Sequence, residues 1–248
     1  MSIFAHLQEL RRRLWWVAVV GMAGFVLAIV FYHPIFKLLL APAHGLLSPN
    51  TTPIVTSPTE FMGATITVAI MAGLVLALPF LVYQIIMFVA PAVSAKTQAL
   101  MLLVMPITIL LFAGGVAMGY FLVLPIMFKF LLTYGNGLVT PMIRISDYLN
   151  LLIILLAGIG LAFETPLVMY LLAKLRVISY KGFMRFQKWM IVLSFVIGAI
   201  FDPSPNPFDQ IVVAGTIITL YQIGVLLAWL VRPRETSASR LAPSPASR

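Results

Sequence analysis

Glu164 is the residue of this chain best placed to do chemistry. It lies in Gly158-Ile159-Gly160-Leu161-Ala162-Phe163-Glu164-Thr165-Pro166, inside an apolar run long enough to cross a bilayer. An ionisable side chain at membrane depth is costly and marks a functional site by default. The plainer alternative is a hydrogen bond to a neighbouring helix. Burial favours the neutral acid, which could act as a donor. Pro166 has no amide hydrogen, and its ring crowds the Ala162 carbonyl. A kink and a freed carbonyl are therefore expected beside Glu164.

Glu9 is the second candidate, in His6-Leu7-Gln8-Glu9-Leu10-Arg11-Arg12-Arg13-Leu14. Leu7, Leu10 and Leu14 recur at helical spacing, which predicts a short amphipathic helix along the membrane interface. On composition alone, Glu9 reads as the i,i+4 ion-pair partner of Arg13. Other chemistry is poorly supplied. The chain has no cysteine, hence no disulfide and no thiolate. His6, His33 and His44 are scattered and lack metal-ligand spacing. No Gly-x-Ser-x-Gly elbow, His-Glu-x-x-His pair or phosphate loop occurs. The expectation is a protein that is not an enzyme.

The elements that must position these residues are membrane spans. Apolar residues make up 62% of the 248 residues and charged ones 9%, far below the roughly 25% charged residues of a soluble domain. A span needs about 20 apolar residues. Six are read, at roughly 14–36, 65–89, 99–126, 149–173, 190–201 and 211–231, with longer loops at 37–64 and 127–148. They make one all-α polytopic domain over 1–231. Pro79, Pro106, Pro125 and Pro166 bend several helices, so the bundle is expected to present a concave face. The last two helices are read as short. The uninterrupted apolar run Met190–Phe201 would reach only about 18 Å, and Pro203, Pro205 and Pro207 then force a turn. Residues 232–248, rich in Ser, Ala, Pro and Arg, read as a disordered tail.

Charge sets the orientation. With the N-terminus inside, Arg11, Arg12, Arg13, Lys96, Lys174, Arg176, Lys181, Arg185, Lys188, Arg232, Arg234, Arg240 and Arg248 all fall on the cytoplasmic side. Only Lys37, Lys129 and Arg144 fall outside. Both termini are thus read as cytoplasmic, with anionic lipid strengthening the bias. The net charge of +9 is then a topology signal rather than a sign of nucleic-acid binding. The first apolar run exceeds the 7–15 residues of a signal core, so it reads as a retained span and Arg11-Arg12 as its basic flank. No internal repeat of the kind found in many transporters appears. A proton-coupled small-solute transporter with Glu164 as relay is the alternative reading, though no second intramembrane acid is available to receive the proton.

Several ordered motifs resemble one family over about residues 4–231. They are His6-Leu7-x-Glu9-Leu10-Arg11-x-Arg13-Leu14, Ser57-Pro58-Thr59-Glu60-Phe61, Tyr83-Gln84 with Phe88-x-x-Pro91, Gly119-Tyr120-Phe121 with Pro125, Ser146-x-Tyr148-Leu149, Phe163-Glu164-x-Pro166, and Gln210. In this set the chain resembles the TatC subunit of the twin-arginine protein translocase. The resemblance implies a receptor in the bacterial inner membrane for signal peptides bearing paired arginines, one that is not an enzyme and binds no cofactor. Such receptors assemble, in several copies and with small single-span TatA/TatB-type subunits, to pass folded proteins across using the proton-motive force. It implies a signal-peptide site at Glu9, Arg11, Arg13, Phe88, Pro91 and Thr97. It implies a partner-docking site at Glu164, Phe163 and Pro166, and structural roles for Pro42, Pro58, Glu60, Tyr120, Asn206 and Gln210. A carboxylate at Glu9 suits this task, because the planar guanidinium fork bonds it bidentately where lysine cannot. Two positions depart from the family pattern. Thr97 stands where a glutamate is usual, and Asn206 where an aspartate is frequent. Glu9 then acts with backbone carbonyls and Gln8 or Gln98, or the signal is held more weakly.

Overall fold

The computed structural model describes residues 3–46, 53–89, 95–134, 142–201 and 207–231, and these are almost wholly helical. In chain order the helices are α1 (Ile3–Val30), α2 (Tyr32–Leu46), α3 (Glu60–Val89), α4 (Ala95–Met118), α5 (Leu124–Tyr134), α6 (Ile145–Phe163), α7 (Thr165–Lys174), α8 (Tyr180–Phe201) and α9 (Pro207–Leu230). A π-helical turn, Gly119–Val123, joins α4 to α5. Six stretches are long and apolar enough to cross a bilayer: Leu7–Val30, Glu60–Phe88, Val104–Leu131, Ile145–Lys174, Tyr180–Ile200 and Gln210–Leu230. This is a multi-pass membrane protein. Six crossings place the start of α1, the α7–α8 link and the end of α9 at one end, here called the basic end.

The boundaries differ from the sequence reading in four places. No separate interfacial helix precedes span one, because α1 runs unbroken from Ile3 to Val30. The chain breaks instead at Phe31. Pro34 cannot donate to the Val30 carbonyl but fits the first turn of a new helix, so residues 37–46 continue as α2 rather than as loop. Span three extends to Tyr134 through Pro125, which ends up in the first turn of α5. There the π turn shifts the ladder, and the Leu124 N–H reaches the Gly119 carbonyl.

The fourth difference is the largest. Span five is not cut to the apolar run from Met190. α8 starts at Tyr180 and has 22 residues, a reach of about 33 Å. Lys181, Arg185 and Lys188 are all exposed and sit at i, i+4 and i+7, on one face. Their long stems can lie along apolar surface while the charged heads reach water. Even so, the last two spans are the shortest of the six, at 21 residues each.

α6 is the centre of the bundle. Its Tyr148, Leu149, Leu152 and Leu155 are fully buried, together with Val123, Leu124 and Met127 of the π turn and α5. Residues of α2, α3, α8 and α9 pack around this core. Two close helix approaches shape the rest. α1 crosses α3 where a Cβ on Gly73 would stand 2.5 Å from the Gly21 carbonyl oxygen and 2.9 Å from the Phe25 nitrogen. Both are backbone atoms and cannot swing aside. Gly73→Ala is therefore expected to destabilise the protein by about 2 kcal/mol. Gly63→Ala, whose Cβ would meet nothing within 4 Å, should be neutral or mildly stabilising. Thermal unfolding of the two variants in detergent checks the contrast. α4 crosses α6 at the second approach, where a Cβ on Gly115 would lie 2.8 Å from the Gly160 Cα.

Candidate functional site

Three groups of side chains emerge, one at each end of the bundle and one within it. At the basic end, the i,i+4 spacing along α1 brings Arg13 onto Glu9, with Nε 3.1 Å from Glu9 Oε1 and Nη2 on the same oxygen. The other terminal nitrogen, Nη1, donates to Gln84 Oε1 of α3 at 3.0 Å. Arg13 is thus clamped between two helices, and it fixes where the Glu9 carboxylate sits. The pair is partly exposed, at 18% for Arg13 and 23% for Glu9. Arg11 and Arg12 are exposed. Phe88, half-buried, lies one turn beyond Gln84 on the same face of α3. Thr97 belongs to the first turn of α4, its side chain being outside the described residues, as is the whole of Pro91. Gln84 was not singled out as a site residue from sequence. Its only sequence signal was membership of the Tyr83-Gln84 motif.

Within the bundle, Glu164 occupies the break between α6 and α7. Pro166 is buried at the start of α7 and withholds the amide that would continue the α6 ladder, so the kink lies where the sequence placed it. The Glu164 N–H turns back to the Leu161 carbonyl at 3.1 Å. Phe163 is half-buried, and its ring edge limits the Gly115 crossing. The Glu164 side chain is 1% exposed, and neither carboxyl oxygen has a hydrogen-bond partner. A buried polar group left unpaired costs about 1–3 kcal/mol, so this carboxyl is a debt that its own chain leaves open. Thr108 of α4 shares the condition. It is fully buried, and its hydroxyl is unpartnered. Sequence reasoning did not find it, because a lone threonine in a span normally bonds back to its own helix.

At the end opposite the basic one, the side chains tie loops together. Pro42 lies inside α2 and removes the amide that would serve the Leu38 carbonyl. The Tyr120 hydroxyl, presented by the π turn, donates to that carbonyl at 2.6 Å. One residue on, the Tyr148 hydroxyl donates to the Leu39 carbonyl at 2.8 Å. Tyr120→Phe is expected to lower stability by about 1 kcal/mol with little effect on the basic end, read by thermal unfolding.

Pro58 sits in the turn before α3. Glu60, the first residue of α3, accepts from the Thr56 amide at 2.6 Å and the Thr56 hydroxyl at 2.7 Å on one oxygen. Its other oxygen accepts from the Ser146 hydroxyl at 2.7 Å and lies 3.5 Å from Arg144 Nε. Backbone bonds from Ile54 to Ile143 and from Ile145 to Ile54 stitch the same two segments. Gln210 Nε2 donates to the Phe195 carbonyl at 2.9 Å, tying α9 to α8. Asn206 lies outside the described residues. Among the described residues no cluster of side chains could hold a metal ion.

Comparison with known proteins gives a consistent picture. Residues 5–215 match the family model described as Sec-independent protein translocase protein (TatC). The chain is 34% identical over 237 residues to the Sec-independent protein translocase protein TatC of Aquifex aeolicus, covering 95% of this chain and 98% of that one. It is 30% identical over 240 residues to that of Carboxydothermus hydrogenoformans, covering 97% and 98%. It is also similar to a crystal structure titled Twin Arginine Translocase Receptor- TatC, with a TM-score of 0.81 and 34% identity, covering 91% of this chain and 99% of that one. A second such structure, in the detergent DDM, gives a TM-score of 0.80 at 35% identity.

Proposed function

The chain belongs to the TatC family of Sec-independent protein translocase proteins, and from that premise we propose that it is the signal-peptide receptor and assembly core of a twin-arginine translocase. It sits in the bacterial inner membrane with the basic end in the cytoplasm, where the positive-inside rule puts it. It binds the arginine pair of an exported, folded protein and assembles with single-span subunits, and the proton-motive force drives passage. Catalysis has no part in this reading.

The observation that carries the assembly role is Glu164. Its carboxyl is buried in a span with neither oxygen satisfied, so a polar group from outside the chain has something to gain there. The receptor role rests on the likeness to structures titled as receptors and on Glu9. Arg13 already engages the Glu9 carboxylate through two nitrogens, which is the chemistry a cargo arginine needs. Arg13, held in turn by Gln84, positions the carboxylate. A cargo arginine would share or displace it, close to Phe88. For a solute transporter, Glu164 lacks a relay partner: no second acidic or basic residue is fully buried among the described residues.

The test is co-purification of the full chain from membranes. It is expected to bring down single-span subunits and twin-arginine fusions, and twin-lysine fusions should be left behind. Recovery of neither would remove the proposal.

A further inference from the structure

We propose that Thr108 is a second partner-binding residue of the intramembrane site, its hydroxyl and the Glu164 carboxyl together receiving one polar side chain of a single-span helix. The inference rests on the assembly reading above and names a residue that reading does not contain.

Among the described residues Thr108 is the span hydroxyl that is fully buried with no partner. Thr65, Ser194, Thr216 and Thr219 each donate to the carbonyl four residues back, at 2.6–2.9 Å. That back-bond is the ordinary way for a hydroxyl in a helix to satisfy itself without a neighbour. Thr108 makes none, although it is fully buried. The register of α4 against α6 explains where it lies. The Phe112 ring would meet a Cβ on Gly160 at 2.8 Å, and Leu156 would meet one on Gly119 at 3.0 Å. α4 and α6 therefore run antiparallel in contact. One turn from Phe112 toward the basic end is Thr108, and one turn from Gly160 the same way is Glu164. The two unpartnered groups stand at one level on facing helices.

Access to this level is built into the same two helices. Pro106 lies two residues before Thr108, and Pro166 two residues after Glu164. Each proline removes the amide that would serve the carbonyl four residues earlier, and helices bend at such points. Both helices thus have their weakest turn at the level of the polar pair, while the glycine crossing at Gly115 and Gly160 holds them together one to two turns away. A partner helix that pries this level apart finds a carboxyl and a hydroxyl on facing walls. A neutral side chain with both a donor and an acceptor satisfies the two at once.

The experiment measures how much single-span subunit is captured by the full tagged chain in detergent, for wild type, Thr108→Val, Thr108→Ser, Glu164→Leu and Thr108→Val/Glu164→Leu. Thermal unfolding is run on each. Thr108→Val is expected to capture about tenfold less subunit, as loss of one hydrogen bond in a low-dielectric site allows. Thr108→Ser should keep near wild-type capture, and the double variant should equal Glu164→Leu, since two groups serving one ligand are not additive. Thr108→Val removes an unpaired buried hydroxyl at constant shape, so its unfolding midpoint should be unchanged or higher, which separates lost binding from lost fold. Wild-type capture by Thr108→Val, or a further loss when it is added to Glu164→Leu, overturns the inference while the assembly reading stands. Equal losses in Thr108→Ser and Thr108→Val with lowered midpoints in both also overturn it. Wild-type capture by Glu164→Leu overturns the assembly reading itself.

Discussion

Replacing Glu164 with leucine is expected to abolish export and reduce single-span subunit capture at least tenfold, while leaving the protein as stable as before or more so. The opposing signs follow from one fact. The carboxyl is 1% exposed and neither oxygen is bonded. In the isolated chain it contributes only a desolvation cost of about 1–3 kcal/mol, and a leucine of similar volume removes that cost without leaving a cavity. In the proposed complex the same carboxyl gains partners, so its loss is expected to fall on binding. Glu164→Gln keeps the shape and a donor, and should retain a measurable fraction of capture. A passive scaffold would export equally well with leucine, glutamine or glutamate at this position. Unfolding midpoints and captured subunit, measured on the same preparations, distinguish the outcomes.

The second large effect is expected at Glu9. Glu9→Ala should reduce recognition of twin-arginine signals by tenfold or more, yet cost little stability. The Glu9–Arg13 pair is a partly exposed i,i+4 contact, worth about 0.3–0.5 kcal/mol at most, and Arg13 keeps its bond to Gln84. Recognition depends on more than that pair. Glu9 is the carboxylate at this end that Arg13 and Gln84 hold in place, and Thr97 supplies no second one. A charge-assisted bond to guanidinium is about twice as strong as a neutral one, so Glu9→Gln should also fail, though less completely. Binding of a labelled signal to the purified chain, with lysine replacing either arginine as control, measures both variants.

Much of this fold was readable in the sequence, because a bilayer imposes strong rules. Six apolar runs stand out whatever their packing, and the kink at Glu164 follows from Pro166 alone. The reading failed where local chemistry competed with composition. Lys181, Arg185 and Lys188 fall before the span read at 190–201, but their spacing puts them on one face, and α8 begins ahead of them at Tyr180. Span three was read to about residue 126, but a π turn at Gly119–Val123 precedes Pro125 and the chain stays helical to Tyr134.

The candidate sites divide in the same way. Pro42 and Tyr120 were each singled out, but their connection through the Leu38 carbonyl needs α2 and the π turn in space. For Glu9 the Arg13 partner predicted by spacing is present; the cargo role is the proposal made above, in which Arg13 fixes where the carboxylate sits. Thr108 carries no signal in the sequence and Gln84 only its place in the Tyr83-Gln84 motif, because neither has a distinctive spacing. Their significance comes from what another helix places beside them, or fails to.

The central claim, that the basic end receives a twin-arginine signal at Glu9, is tested most directly by photo-cross-linking. A photoreactive residue is placed at position 88 or 97, both in the proposed signal-peptide site, or at position 62, exposed at the opposite end, in chains carrying either Glu9 or Glu9→Ala. Adducts with a twin-arginine signal are expected at 88 and 97 and none at 62, with both adducts lost when Glu9 is alanine or the signal carries two lysines. Adducts of wild-type strength at 88 and 97 in the Glu9→Ala chain would contradict the claim.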